Sequence, residues 1–227
     1  MSDSEVTVVL AHAAWADGSS WSRVIDRLRS AGQRSIAAPL PLTTLADDVA
    51  ALDRVIERAG GPVVLVGHAY SGAVIGATRS TKVKALVYVN SLVPDEGETV
   101  MDVFTRTAPH ELAPQLVPDA DGLIWLPETA FGQAFAPQAA EPEQAVLAAV
   151  QRPISINCIT VPVERPQWQD QPSWYLIAEE DRMISSQNQR FMAERAGATI
   201  ISAPLDHCPM LGDPALVAQT ILSAVRA

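Results

Sequence analysis

Short apolar runs rich in Val, Ile and Leu recur along the chain, each followed by a stretch in which apolar residues fall three or four apart. The runs are Val6 to His12, Arg34 to Ala38, Val63 to Gly67, Lys84 to Asn90, Trp174 to Ala178 and Thr199 to Ala203. Continuous rather than alternating apolar character is how a strand reads when both faces of a parallel sheet are covered. The helical periodicity falls at Ser20 to Ala31, Leu45 to Ala59, Ser71 to Ser80, Gln187 to Ala196 and Pro214 to Val225. Strand and helix alternate, which predicts a doubly wound, mostly parallel sheet of about six strands with helices on both faces. Ligands of such a sheet bind in the crevice beyond the carboxyl ends of its strands.

The alternation fails between Leu92 and Asp170, where Pro94, Pro109, Pro127 and Pro153 are among the prolines that punctuate short helical pieces. Trp125, Phe131, Phe135, Ile154, Ile156 and Trp168 give this stretch apolar surface to bury, so it is expected to be a lid rather than a linker. At 227 residues the chain suits a single domain over 1–227, with the lid insertion at 92–170 inside it.

Composition narrows the partners. Sixteen basic and 26 acidic residues give a net charge of −10, without a basic patch to follow a phosphate backbone. Nucleic acid and anionic membrane are therefore not expected, and a small molecule is the expected partner. No run of about 18 apolar residues is present to span a bilayer. Met1-Ser2-Asp3-Ser4-Glu5 lacks the basic and apolar segments of a signal peptide, so a cytoplasmic setting is expected. Cys158 and Cys208 show neither disulfide nor zinc-ligand spacing, and there is no Gly-rich dinucleotide fingerprint, so no metal and no organic cofactor are expected. The sequence carries no signal for an oligomeric state.

The chemistry concentrates in Val63-Val64-Leu65-Val66-Gly67-His68-Ala69-Tyr70-Ser71-Gly72, which joins a buried strand to a helix through a tight turn. That is the layout of the nucleophile elbow G-x-S-x-G, in which one strained residue stands at the tip of the turn. Here the tip is Ala69. The sequence resembles the α/β-hydrolase superfamily, in particular the compact bacterial esterase-like branch related to plant hydroxynitrile lyases and methyl-ester hydrolases, whose elbow usually reads G-H-S-Y-G-G. The resemblance runs through nearly the whole chain and implies the α/β-hydrolase fold. Ala11-His12-Ala13-Ala14-Trp15 looks like the family's H-G-A-W loop, which implies an oxyanion hole built from the N–H groups of Ala14 and Tyr70. Trp174 to Ile184 resembles the strand end bearing the triad acid, which implies Asp181, with Glu179 and Glu180 as competitors. Leu205-Asp206-His207-Cys208-Pro209 resembles the loop bearing the catalytic histidine, which implies His207.

Each candidate has a plainer role. His207 could be a surface loop histidine, and Asp181 could cap the following helix. His12, Trp15, Trp125 and Cys208 are candidates to touch substrate. The plainer readings are a structural hydrogen bond for His12, packing for Cys208, and core filling for Trp15, Trp125 and Trp168. His110 reads as a solvated lid residue.

A methyl group cannot attack a carbonyl, so the acyl-serine route is closed to this chain. Ser71 is no substitute, because two positions along a helix turn a side chain by about 200°. Three readings follow. The chain acts on a small apolar ester, lactone or related carbonyl compound through a His207–Asp181 general-base dyad. Alternatively it is a non-hydrolytic lyase, isomerase or cofactor-free oxygenase with His207 as base, or a catalytically dead ligand-binding protein. Retention of the dyad favours an enzyme, with ester or lactone chemistry first.

Overall fold

The computed structural model describes residues 6–227. The leading Met1 to Glu5, read above for the absence of a signal peptide, lies outside the described residues. In chain order the strands are β1 (Thr7–Ala11), β2 (Ser35–Ala38), β3 (Val63–His68), β4 (Val83–Val89), β5 (Leu123–Ile124), β6 (Ile154–Ser155), β7 (Ser173–Ala178) and β8 (Thr199–Ala203). The α-helices are α1 (Ser22–Ser30), α2 (Leu45–Ala59), α3 (Ser71–Ala77), α4 (Val100–Phe104), α5 (Glu128–Ala130), α6 (Glu141–Val150), α7 (Ser186–Arg195), α8 (Pro209–Gly212) and α9 (Pro214–Val225).

Six strands form one sheet in the order β2-β1-β3-β4-β7-β8, and all five pairings are parallel. Every residue of β1, β3 and β7 is buried, which accounts for their unbroken apolar character. From β1 the chain steps outward to β2, then back across β1 to β3 and onward through β4, β7 and β8. Right-handed crossovers in these two directions place α1 on one face and α2, α3 and α7 on the other. The contacts agree, since α1 packs on α9 and α2 on α3. The reversal falls between β1 and β3, so the loops leaving these two strands flank the crevice where an open α/β sheet binds its ligand.

Local chemistry sets several boundaries. Thr44 caps α2 by accepting from the Asp47 N–H, and Gly60, at φ +80°, ends the helix in the left-handed region that glycine tolerates. The helix expected over Ser71 to Ser80 stops at Ala77, because Thr78 turns to an extended conformation and donates its hydroxyl to Asp53 at 2.5 Å. The helix expected from Ser20 begins as a 3-10 turn, Gly18–Trp21, capped by Asp17.

The segment between β4 and β7 contains α4, α5, α6 and the small antiparallel sheet β5-β6. Phe131, Phe135 and Ile154 are buried, whereas Trp125 is 50% exposed. Among the described residues no helix is long and apolar enough to cross a membrane.

Candidate active site

The turn from β3 into α3 is built by close approach. A Cβ on Gly67 would lie 2.8 Å from the Ser71 carbonyl oxygen, and one on Gly72 would lie 2.5 Å from that of Leu92. Glycine at both positions lets the chain fold back tightly, and Ala69, one of the four residues between them, sits at φ +50°. A non-glycine residue in that region is strained, and three backbone bonds hold it there: Ala69 N–H to Val89 O, Leu92 N–H to Ala69 O, and Gly72 N–H to Ala69 O. The Ala69 methyl group stands at the tip and borders a cavity of about 510 Å³.

Ser71 points away from that cavity. Its hydroxyl accepts from the His68 N–H at 2.8 Å and faces the Ala11 carbonyl at 2.8 Å, tying the base of the turn to the end of β1.

His207 follows β8 and reaches the same cavity. Its Nδ1 donates to Asp181 Oδ2 at 2.9 Å, leaving Nε2 free of hydrogen bonds among the described residues. The imidazole packs between two rings, His68 at 5.0 Å and Phe135 at 5.2 Å between centroids, and the residue is 2% exposed. Asp181 is held as firmly. Oδ1 accepts from the Met183 and Ile184 N–H groups, and Oδ2 accepts from Asn90 Nδ2 at 2.8 Å and Gln189 Nε2 at 3.0 Å as well as from His207. The two other acids of this strand end point elsewhere. Glu179 pairs with Arg190, and Glu180 accepts from Gln138. Helix α7 is capped by Ser185, not by Asp181.

Ala14 follows β1 and Tyr70 follows Ala69, and both border the cavity. Neither N–H donates to another described residue. Trp15, at φ +58°, also lines the cavity, with its indole N–H donated to Ile124 O at 2.9 Å. The other three candidates for substrate contact lie off its wall. His12 is buried with both ring nitrogens engaged, Nδ1 with Ala13 O and Nε2 with the Leu40 N–H, and burial lowers its pKa. Cys208 is buried, and burial pushes its thiol well above the ordinary range. Trp125 lies on the outer surface, its indole N–H directed to Asp119 at 3.3 Å. Trp168 is also off the cavity and donates to Pro94 O, while the exposed His110 stands on its rim.

Besides Gln189, three supporting residues escaped the sequence reading. Asn90 closes β4 at φ +34° and donates to Asp181 and to the His207 carbonyl. An Asn at the carboxyl end of a strand beside the elbow strand is a usable signal for it. His68 donates from Nε2 to the same carbonyl at 2.7 Å. Full burial and the nearby His207 ring drive its pKa well below the usual value, so it is a neutral strut. Asp48, on α2, is fully buried beneath the elbow and accepts from the Leu42 N–H and the Tyr70 hydroxyl, both at 2.7 Å. Burial raises the Asp48 pKa, and burial followed by the Asp48 charge raises that of Tyr70 well above its ordinary range.

The cavity is mainly apolar, walled by residues such as Leu92, Val100, Phe104, Ile154 and Ile184, several of them from the segment between β4 and β7. Its volume falls within the roughly 300–1,000 Å³ of small-molecule sites.

Comparison with known proteins follows the geometry. The profile described as "Alpha/beta hydrolase family" matches residues 8–220. A carbendazim hydrolyzing esterase from Nocardioides sp. (strain SG-4G) is 29% identical over 127 residues, which are 48% of this chain and 51% of that protein. The crystal structure of polyneuridine aldehyde esterase superposes with a TM-score of 0.84 at 18% identity, covering 96% of this chain and 98% of the other. A variant of tomato methylketone synthase I complexed with beta-ketoheptanoate superposes with a TM-score of 0.79 at 17% identity, covering 98% of each chain.

Proposed function

Because this chain belongs to the Alpha/beta hydrolase family, we propose that it acts on an apolar carbonyl compound, an ester or lactone first, without a covalent enzyme intermediate. The observation that carries the proposal is the pairing of an alanine at the strained tip of the elbow with an intact His207–Asp181 hydrogen bond at 2.9 Å. Water in the space that a serine hydroxyl would fill is the nucleophile. His207 Nε2 takes its proton while Asp181 orients the ring and balances the imidazolium that forms. The negative charge that develops on the carbonyl oxygen is held by the N–H groups of Ala14 and Tyr70, which have no competing acceptor among the described residues. His207 then returns the proton to the departing alkoxide, giving acid and alcohol. The esterases among the similar proteins support this substrate class.

A second reading has its own support. The likeness to a methylketone synthase holding beta-ketoheptanoate favours proton-transfer chemistry on a β-keto acid. There the C–C bond to the carboxylate breaks, carbon dioxide leaves, the enolate oxygen is held by the same two amides, and His207 in its protonated form delivers a proton to carbon. Neither reading uses a side chain at position 69.

One experiment separates them. The purified chain is offered phenyl butyrate, γ-nonalactone and 3-oxooctanoate, with acid release and carbon dioxide release measured side by side. Acid from the ester or the lactone supports the first reading. Carbon dioxide from the keto acid supports the second, and no turnover of any of the three contradicts both.

A further inference from the structure

Polar side chains on the cavity wall fall into distinct groups. His207 is the buried one at the reacting end, and the Tyr70 hydroxyl is turned away to Asp48. Thr105, His110 and Gln115 are exposed. Thr107 and Ser185 are half-buried, and their hydroxyls meet at 2.8 Å. Thr107 follows α4 in the segment between β4 and β7, whereas Ser185 precedes α7 in the main body, so this bond joins the two walls of the cavity.

Counting hydrogens shows what the pair lacks. Two hydroxyls carry two hydrogens, and their mutual bond uses one. Ser185 Oγ accepts from the Asn188 N–H at 3.2 Å, which consumes a lone pair but no hydrogen. Thr107 Oγ1 has no partner besides Ser185 among the described residues. Whichever hydroxyl donates across the pair, one O–H remains without an acceptor among the described residues.

We infer that Thr107 and Ser185 form a second polar subsite, which donates one hydrogen bond to an acceptor oxygen remote from the reacting carbonyl. The preferred ligand is therefore a carbonyl compound with a second keto, ester or ether oxygen further along an apolar body. This deepens the functional reading above and rests on it only for the reacting carbonyl's place beside Ala69.

Unreactive ketones test the subsite apart from turnover, since they contain no scissile bond. Dissociation constants of 2-octanone, 2,5-octanedione and 2,7-octanedione are measured by ligand-observed NMR titration against the chain as it stands. They are measured again with the Thr107→Val, Ser185→Gly double variant, in which glycine preserves most of the start of α7. One net hydrogen bond predicts that at least one dione binds about three- to tenfold tighter than 2-octanone. The double variant is predicted to lose that preference and keep its affinity for 2-octanone. Equal affinities for all three ketones in the unaltered chain overturn the inference, as does failure of all three to bind or a dione preference that survives in the double variant. A dione preference in a chain that turns over no ester, lactone or keto acid leaves the subsite standing and removes the proposed reaction.

Discussion

Tyr70 donates its hydroxyl to the fully buried carboxylate of Asp48 at 2.7 Å, while its backbone N–H borders the cavity at the elbow. The same carboxylate accepts from the Leu42 N–H and lies 3.7 Å from Cys158 Sγ, whose thiol burial pushes up to about 12. A single buried acid thus braces the elbow, the loop before α2 and the segment between β4 and β7.

That acid makes stability depend on pH in a definite sense. Burial raises the Asp48 pKa in the folded chain above its value of 3.8. The folded state therefore holds the proton more tightly than the unfolded state. This contribution to stability is full below 3.8 and lost as pH rises through the raised value. Asp48→Asn removes the titration while keeping an acceptor for Leu42. Thermal melts are predicted to show the variant gaining relative to the parent between pH 4 and pH 8. An equal difference at both pH values contradicts this.

Gly72 offers a test of the elbow's construction. An added Cβ would meet Leu92 O at 2.5 Å and Ser91 Cβ at 2.6 Å, and both belong to packed chain rather than to a flexible side-chain end. Gly72→Ala is predicted to lose about 1–3 kcal/mol or more in urea unfolding. A loss below about 0.5 kcal/mol would mean that the turn is looser than described.

Ala69→Ser places a hydroxyl at the tip of the elbow, where the proposed function leaves room for water. The variant is predicted to hydrolyse phenyl butyrate faster than the parent and to gain the mass of a butyryl group at position 69 when quenched early, since serine opens the acyl-enzyme route. A folded variant that shows neither gain nor adduct would mean that His207 and the two amides are not aligned on the tip.

Much of this was legible in the chain, for identifiable reasons. Strands β1, β3 and β7 are apolar runs buried along their whole length, a signal that needs no tertiary knowledge, and α2 has the expected bounds because Thr44 and Gly60 mark its ends locally. The turn at Ala69 was legible because its glycines answer to backbone clashes. Asp48 was not, since an acid in the first turn of a helix ordinarily reads as a solvated residue favoured by the helix dipole. Only the packing of Tyr70 and Leu42 over it makes it a core group. Asn90 shows in the sequence as an Asn at a strand end, but its bond to Asp181 spans 91 residues and the partner does not show, whereas Gln189 lies 8 positions from Asp181 and meets it through the turn into α7. His12 and Trp125 went to other places for similar reasons: the Leu40 N–H captures the imidazole of one, and the outward turn beside β5 exposes the indole of the other.

The central claim is that the imidazole of residue 207 moves the proton in a reaction that needs no side-chain nucleophile. Its most direct test is the turnover rate of the chain with Ala69 in place, measured with and without His207→Ala on whichever of the three substrates reacts. Loss of the base predicts a fall of about 10²- to 10⁴-fold in a variant that remains folded. A rate unchanged by the substitution would contradict the account.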